Sequence, residues 1–129
     1  AASDIVPAPT RIISYYQRLA SAGTGEYLFD SVPTDTIEVP LNNLSEEADF
    51  VIGVNGDSME PTYYDGDMVY VKIANEIPTG HIGVFTRGNE CFIKELGFDC
   101  LLSHNRKRNN IAASDDIRLV GEVLGKVEM

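Results

Sequence analysis

The sequence predicts a mainly β, compact, hairpin-rich fold with little helix. Segments rich in β-branched and aromatic residues recur about every ten residues. Gly, Pro, Asn and Asp punctuate the stretches between them, and almost no 3.6-residue periodicity is visible. The chain's 129 residues amount to one domain, and 43% hydrophobic residues suffice for a core without disulfide or metal staples.

Residues 1–10 (AASDIVPAPT) carry three Ala and two Pro and read as an extended linker. Arg11 to Leu19 is the first expected strand, followed by the small-residue segment Ser21-Ala22-Gly23-Thr24-Gly25, which lies flat or turns with little steric resistance. Residues 36–40 alternate, with Ile37 and Val39 on one side. Phe50 to Val54 is a nearly continuous apolar run, as expected of a strand covered on both faces. Asn55-Gly56 ends it, and Asp57-Ser58-Met59-Glu60-Pro61 follows as a turn with room for one helical turn from Ser58. Asp65-Gly66-Asp67 is a second turn, leading into Met68 to Ile73. Pro78-Thr79-Gly80 separates this strand from Ile82 to Thr86, and Gly88-Asn89 makes a hairpin tip before Cys91 to Leu96. Short strands over 100–103 and 109–113 precede the closing strand, Ile117 to Val127. The organisation read from this is an N-terminal linker segment over 1–35 and a core over 36–129, within one structural domain.

Ten basic and twenty acidic residues give a net charge of −10. Nucleic-acid binding is driven by cations displacing counterions, so this domain is a poor candidate to grip DNA or an anionic membrane. Between Arg18 and Lys72 no Lys or Arg occurs, whereas eleven Asp or Glu do. The one basic cluster, Arg106-Lys107-Arg108, reads as a solvated loop. No apolar run approaches the ~18 residues of a membrane span and no signal-peptide core is present, so a soluble, cytoplasmic location is expected. Cys91 and Cys100 are expected as reduced, half-buried thiols. The chain starts without Met, as a fragment or a trimmed chain does, so a missing N-terminal domain stays in view.

Metal and triad chemistry are poorly supported. His81 and His104 stand at no zinc-ligand spacing, HExxH and CxxC are missing, and neither histidine is marked as an orienting base. No metal or cofactor is expected. Two residues stand out instead. Ser58, at a strand-to-turn junction, either caps a short helix or presents its Oγ beside backbone N–H groups that form an oxyanion hole. Lys94 shares one face of its strand with Phe92 and Leu96, and either snorkels at the rim or is buried. If buried, its ammonium is disfavoured and a neutral amine becomes available to take a serine proton.

The run Asn55-Gly56-Asp57-Ser58-Met59-Glu60-Pro61-Thr62, then Asp65-Gly66-Asp67-Met68-Val69-Tyr70-Val71 and Phe92-Ile93-Lys94-Glu95-Leu96, resembles the LexA and phage-repressor peptidase family. That family includes UmuD and cleaves itself with a Ser-Lys dyad. The resemblance runs from about residue 12 to the C-terminus. It implies a LexA-like peptidase β-fold, with Ser58 on the nucleophile and Lys94 on the general base. It also implies an oxyanion hole from the backbone N–H groups of Asp57 and Ser58. Ser21-Ala22-Gly23-Thr24-Gly25 is similar to the family's cleavage segment, with Ala22–Gly23 as the bond cut.

The implied partners are a second copy of the chain, the RecA filament in members that respond to DNA damage, and an antirepressor. DNA would be reached only through an N-terminal helix-turn-helix domain absent from these residues. The closing strand is read either as the dimer-pairing surface or as an ordinary core strand. The alternatives to a self-cleaving repressor domain are a non-cleaving dimerisation or partner-binding module and a UmuD-like polymerase accessory subunit.

Overall fold

A computed structural model of the chain describes residues 8–17, 35–88 and 90–128. Nine strands form one sheet in the order β2-β1-β3-β4-β9-β5-β6-β7-β8. The strands are β1 (Thr10–Tyr16), β2 (Asp35–Pro40), β3 (Phe50–Gly53), β4 (Met68–Ile73), β5 (Ile82–Arg87), β6 (Glu90–Leu96), β7 (Cys100–Leu102), β8 (Ile111–Ala112) and β9 (Arg118–Lys126). The mainly β expectation holds, and most strands fall within a residue or two of where pattern and punctuation put them. β1 starts at Thr10, inside the segment read as linker, because it pairs antiparallel with β2 and parallel with β3.

The core follows from the apolar runs. Phe50, Val51 and Ile52 are all buried, as the unbroken run in β3 requires, and they pack on both sides of the sheet. Tyr16, Ile52, Val69, Val84 and Val123 belong to one cluster, with the Tyr16 and Phe50 rings edge-to-face at 5.4 Å. Ile13, Val39, Val51 and Tyr70 belong to a second, and Ile77, Phe85 and Leu101 to a third under the β5–β8 end. β9 lies inside the sheet between β4 and β5, with Val120 and Val123 buried, as a core strand does. At Gly121 any Cβ would run into the Lys72 carbonyl oxygen, so only glycine permits the close approach of β9 to β4.

One helix was not expected. α1 (Asn43–Glu47) forms because Asn42 accepts from the Ser45 N–H at 2.9 Å while the Ser45 Oγ accepts from the Asn42 N–H at 2.9 Å. This reciprocal cap needs only Asn and Ser three residues apart, too short a signal to separate from a loop. The turn after β3 went the other way. Residues 58–62 form turns rather than a helix, closed by Thr62 and Tyr63 N–H groups on the Met59 carbonyl, so Ser58 caps no helix.

Candidate active site

The Ser58 turn is anchored at both ends by its acidic residues. Gly56 donates its N–H to Asp65 Oδ1 at 2.7 Å, Tyr64 donates to Asp67 Oδ2 at 2.9 Å, and the Gly66 N–H reaches the Val54 carbonyl at 2.9 Å. Gly66 has φ of 90°, where an L side chain would be strained. Below the turn, Met59 is almost fully buried and pins it to the core.

Ser58 is half-buried and lines a groove of about 350 Å³. One wall is the end of β3, from Ile52 to Asn55, and the other is Glu90 to Ile93 of β6. Lys94 is the next residue of that strand and pairs with Gly83 of β5. It is 6% exposed, which rules out the rim reading. Burial pushes its ammonium below the ordinary lysine range, partly opposed by the negative charge of Asp57, the residue before Ser58.

A loop whose sequence reads as solvated holds this turn. The Asn105 N–H donates to the Ser58 carbonyl at 2.9 Å, and Asn105 Nδ2 donates to the Asp57 carbonyl at 3.0 Å. In a trans peptide the C=O and the following N–H point opposite ways. Turning the Asp57 carbonyl toward Asn105 therefore turns the Ser58 N–H away from it. Arg108 grips the Asp57 carboxylate with two prongs, Nε at 2.7 Å and Nη2 at 2.8 Å, and this holds the Asp57 carboxyl below its usual range. His104 ties the same loop to β6 and the turn, with Nε2 3.0 Å from Glu95 Oε1 and Nδ1 2.5 Å from Thr62 Oγ1. A carboxylate only accepts, so Nε2 carries a hydrogen and donates it to Glu95.

The 103–108 loop thus straps the Ser58 turn to the Lys94 strand. Arg106 and Lys107 are exposed, as a solvated cluster should be, but Arg108 is not merely solvated. Asn105, Arg108 and His104 escaped sequence reasoning because their partners lie 42 to 51 residues away in the turn. Cys91 and Cys100 are half-buried and form no disulfide, as expected. His81 meets Glu122 at 2.7 Å, away from the groove lining. Ala22 and Gly23 lie outside the described residues.

The Peptidase S24-like family pattern matches residues 14–124. The chain belongs to that family. It is also 32% identical over 96 residues to the LexA repressor of Acetivibrio thermocellus, covering 70% of this chain and 45% of that protein. With the LexA repressor of Caldicellulosiruptor saccharolyticus it shares 31% identity over 98 residues, covering 72% of this chain and 48% of that protein. The chain therefore spans about half the length of the curated relatives it matches. Family membership supports a serine peptidase or autopeptidase in general, and the relatives support a LexA-like repressor domain. No helix among the described residues is long and apolar enough to cross a membrane.

Proposed function

We propose that this chain is the autocleavage and dimerisation domain of a LexA-like repressor and cuts its own Ala22–Gly23 bond with Ser58 and Lys94. The observation that carries the reading is a buried lysine, depressed below its ordinary range, on the strand that walls the groove lined by Ser58. In that position only a neutral amine or a partnered ammonium avoids a large desolvation penalty.

In the reaction, neutral Lys94 takes the Oγ proton as Ser58 attacks the Ala22 carbonyl carbon. The N–H groups of Asp57 and Ser58 receive the developing oxyanion. The Ala22–Gly23 C–N bond then breaks, and Lys94 returns the proton to the leaving Gly23 amine. Water hydrolyses the Ala22 ester and frees Ser58. The small side chains around the bond let the segment lie close in the groove, and its tether supplies a high effective concentration. As a homodimer the domain would pair two operator-binding units, reaching DNA through a helix-turn-helix domain outside these residues. The RecA filament or an antirepressor would act by favouring the docked segment.

Incubation at alkaline pH with mass analysis tests this. Fragments ending at Ala22 and beginning at Gly23 are expected, at a rate that rises with pH and levels off below the ordinary lysine pKa. Ser58→Ala and Lys94→Ala should remain whole. A rate flat from pH 7 to 10, or cleavage that survives either substitution, would overturn the proposal. A fold that is intact but never cut favours the non-cleaving module instead.

A further inference from the structure

Asp57 precedes Ser58, whose groove is walled by the strand that carries Lys94, and a negative charge at Asp57 favours the Lys94 ammonium. A carboxylate there is a hazard to the reaction proposed above, because an Asp–Lys ion pair would stabilise the ammonium and remove the base. Yet the carboxylate is committed elsewhere, held two-pronged by Arg108 at 2.7 and 2.8 Å. That pair is 57% and 38% exposed at its two side chains, so it contributes little to stability. Its consequence lies in where it holds the carboxylate. The same loop fixes the Asp57 carbonyl through Asn105, so the side chain and backbone of one residue are held by one loop.

We propose that Arg108 is a positioning residue for the Ser58–Lys94 pair: its planar fork keeps the Asp57 carboxylate against the 103–108 loop and out of an ion pair with Lys94. The inference rests on the reading in which Lys94 is the base. Charged and titratable groups occur on each element around Lys94. Asp57, Glu60 and Tyr63 lie on the turn, and Glu95 with its partner His104 lies beside Lys94. His81 and Glu122 flank the opposing Gly83, and Arg106, Lys107 and Arg108 lie on the loop. Of these, Asp57 is set apart by its place next to Ser58 and by the Arg108 fork that holds its carboxylate. A lysine at 108 would keep the charge but lose the fork, since an ammonium is a point donor without the planar match to a carboxylate.

The test reads Lys94 directly. The chain has four lysines, so side-chain carbon resonances of lysine-labelled protein are assignable with one Lys94→Arg control. Arg108→Ala is expected to raise the Lys94 titration midpoint by about one pH unit, the low end of the effect of an opposite charge at close range. The cleavage profile should move with it, giving about tenfold slower cutting on its rising limb and a high-pH plateau within about threefold of wild type. Arg108→Lys should recover less than half of the shift. In an Asp57→Asn background, Arg108→Ala should retain less than a third of it. Circular dichroism establishes that each variant folds, and Arg108→Gln replaces the alanine variant if that one does not.

An unmoved Lys94 midpoint overturns the inference, as does an equal shift in the Asp57→Asn background, which would mean that Arg108 acts only through its own charge. A rate lowered equally at every pH with the midpoint fixed also overturns it, because that is a structural effect alone. If wild type never cuts itself but the midpoint moves as stated, the proposed function fails and the inference about Arg108 stands. If wild type cuts and the midpoint stays, the inference fails by itself.

Discussion

Two segments that each follow a strand, 42–47 and 56–63, solve the same problem in opposite ways. In the first, Asn42 and Ser45 satisfy one another's N–H groups, and the Ser45 hydroxyl also reaches the Pro40 carbonyl at 2.7 Å. Ser45 is fully buried and yet costs little, because its partners lie within five residues. Its far end takes the Arg11 guanidinium of β1 on the Ser45 and Ala48 carbonyls, a cation at a helix C-terminus. In the second, the carbonyls of Asp57 and Ser58 are held by Asn105. In the first segment the cap closes with groups within five residues of one another, and only its far end depends on a distant strand. The carbonyls of Asp57 and Ser58, held from far away, have their position set by the fold. Lys94 sharpens the contrast: Ser45 is a buried polar group with its hydrogen bonds satisfied, whereas Lys94 is a buried amine whose charged form is disfavoured by its burial.

That contrast is open to attack, beginning where the effect is largest. Lys94→Met should slow self-cleavage by about 10²–10⁴, the usual contribution of a general base, while the fold becomes more stable at neutral pH. The sign follows from linkage. Lys94 is depressed in the folded chain, so the unfolded chain binds more protons between the folded and ordinary lysine pKa values. Wild-type stability therefore rises with pH through that window, and below it the buried ammonium carries a desolvation cost that methionine removes. Thermal melts from pH 6 to 10 check this. A methionine variant no more stable than wild type at pH 7 would show that Lys94 carries no burial penalty.

Asn105→Ala should come next, slowing cleavage about 10- to 100-fold by releasing the Ser58 peptide, with a loss of about 1 kcal/mol of stability. Its rate and its melting curve should part company. Ser45→Ala should do the reverse. It leaves the Asn42 N–H and the Pro40 carbonyl without the Ser45 hydroxyl, costs about 1–3 kcal/mol in urea melts, and leaves cleavage unchanged. Equal effects of these two substitutions on cleavage would break the comparison. Arg106→Ala and Lys107→Ala should be the smallest, within about 0.5 kcal/mol of wild type, because both side chains are exposed.

The strands were legible because burial on a pleated sheet leaves its mark at every second residue, or on every residue where both faces are covered. Phe50 to Ile52 is the clearest case, and β4 and β6 nearly as clear. Ser58 and Lys94 were legible as candidates on local physics and as a pair only through the family resemblance. The strap was not legible at all. Nothing near Asn105 or Arg108 in sequence names Asp57 as a partner, and a basic triplet in an acidic chain looks like solvated surface until the fold is formed.

What this sequence determines unaided is its pattern of short apolar segments, its turns at Asp65-Gly66-Asp67 and Gly88, and its family, because these depend on neighbours along the chain. Tertiary structure decided that Lys94 is buried rather than at the rim, that Ser58 sits on a turn rather than capping a helix, and that Arg108 is occupied by Asp57. Each of those depends on groups tens of residues apart meeting in a medium of low polarity, where desolvation and charge act over distances that no local pattern records.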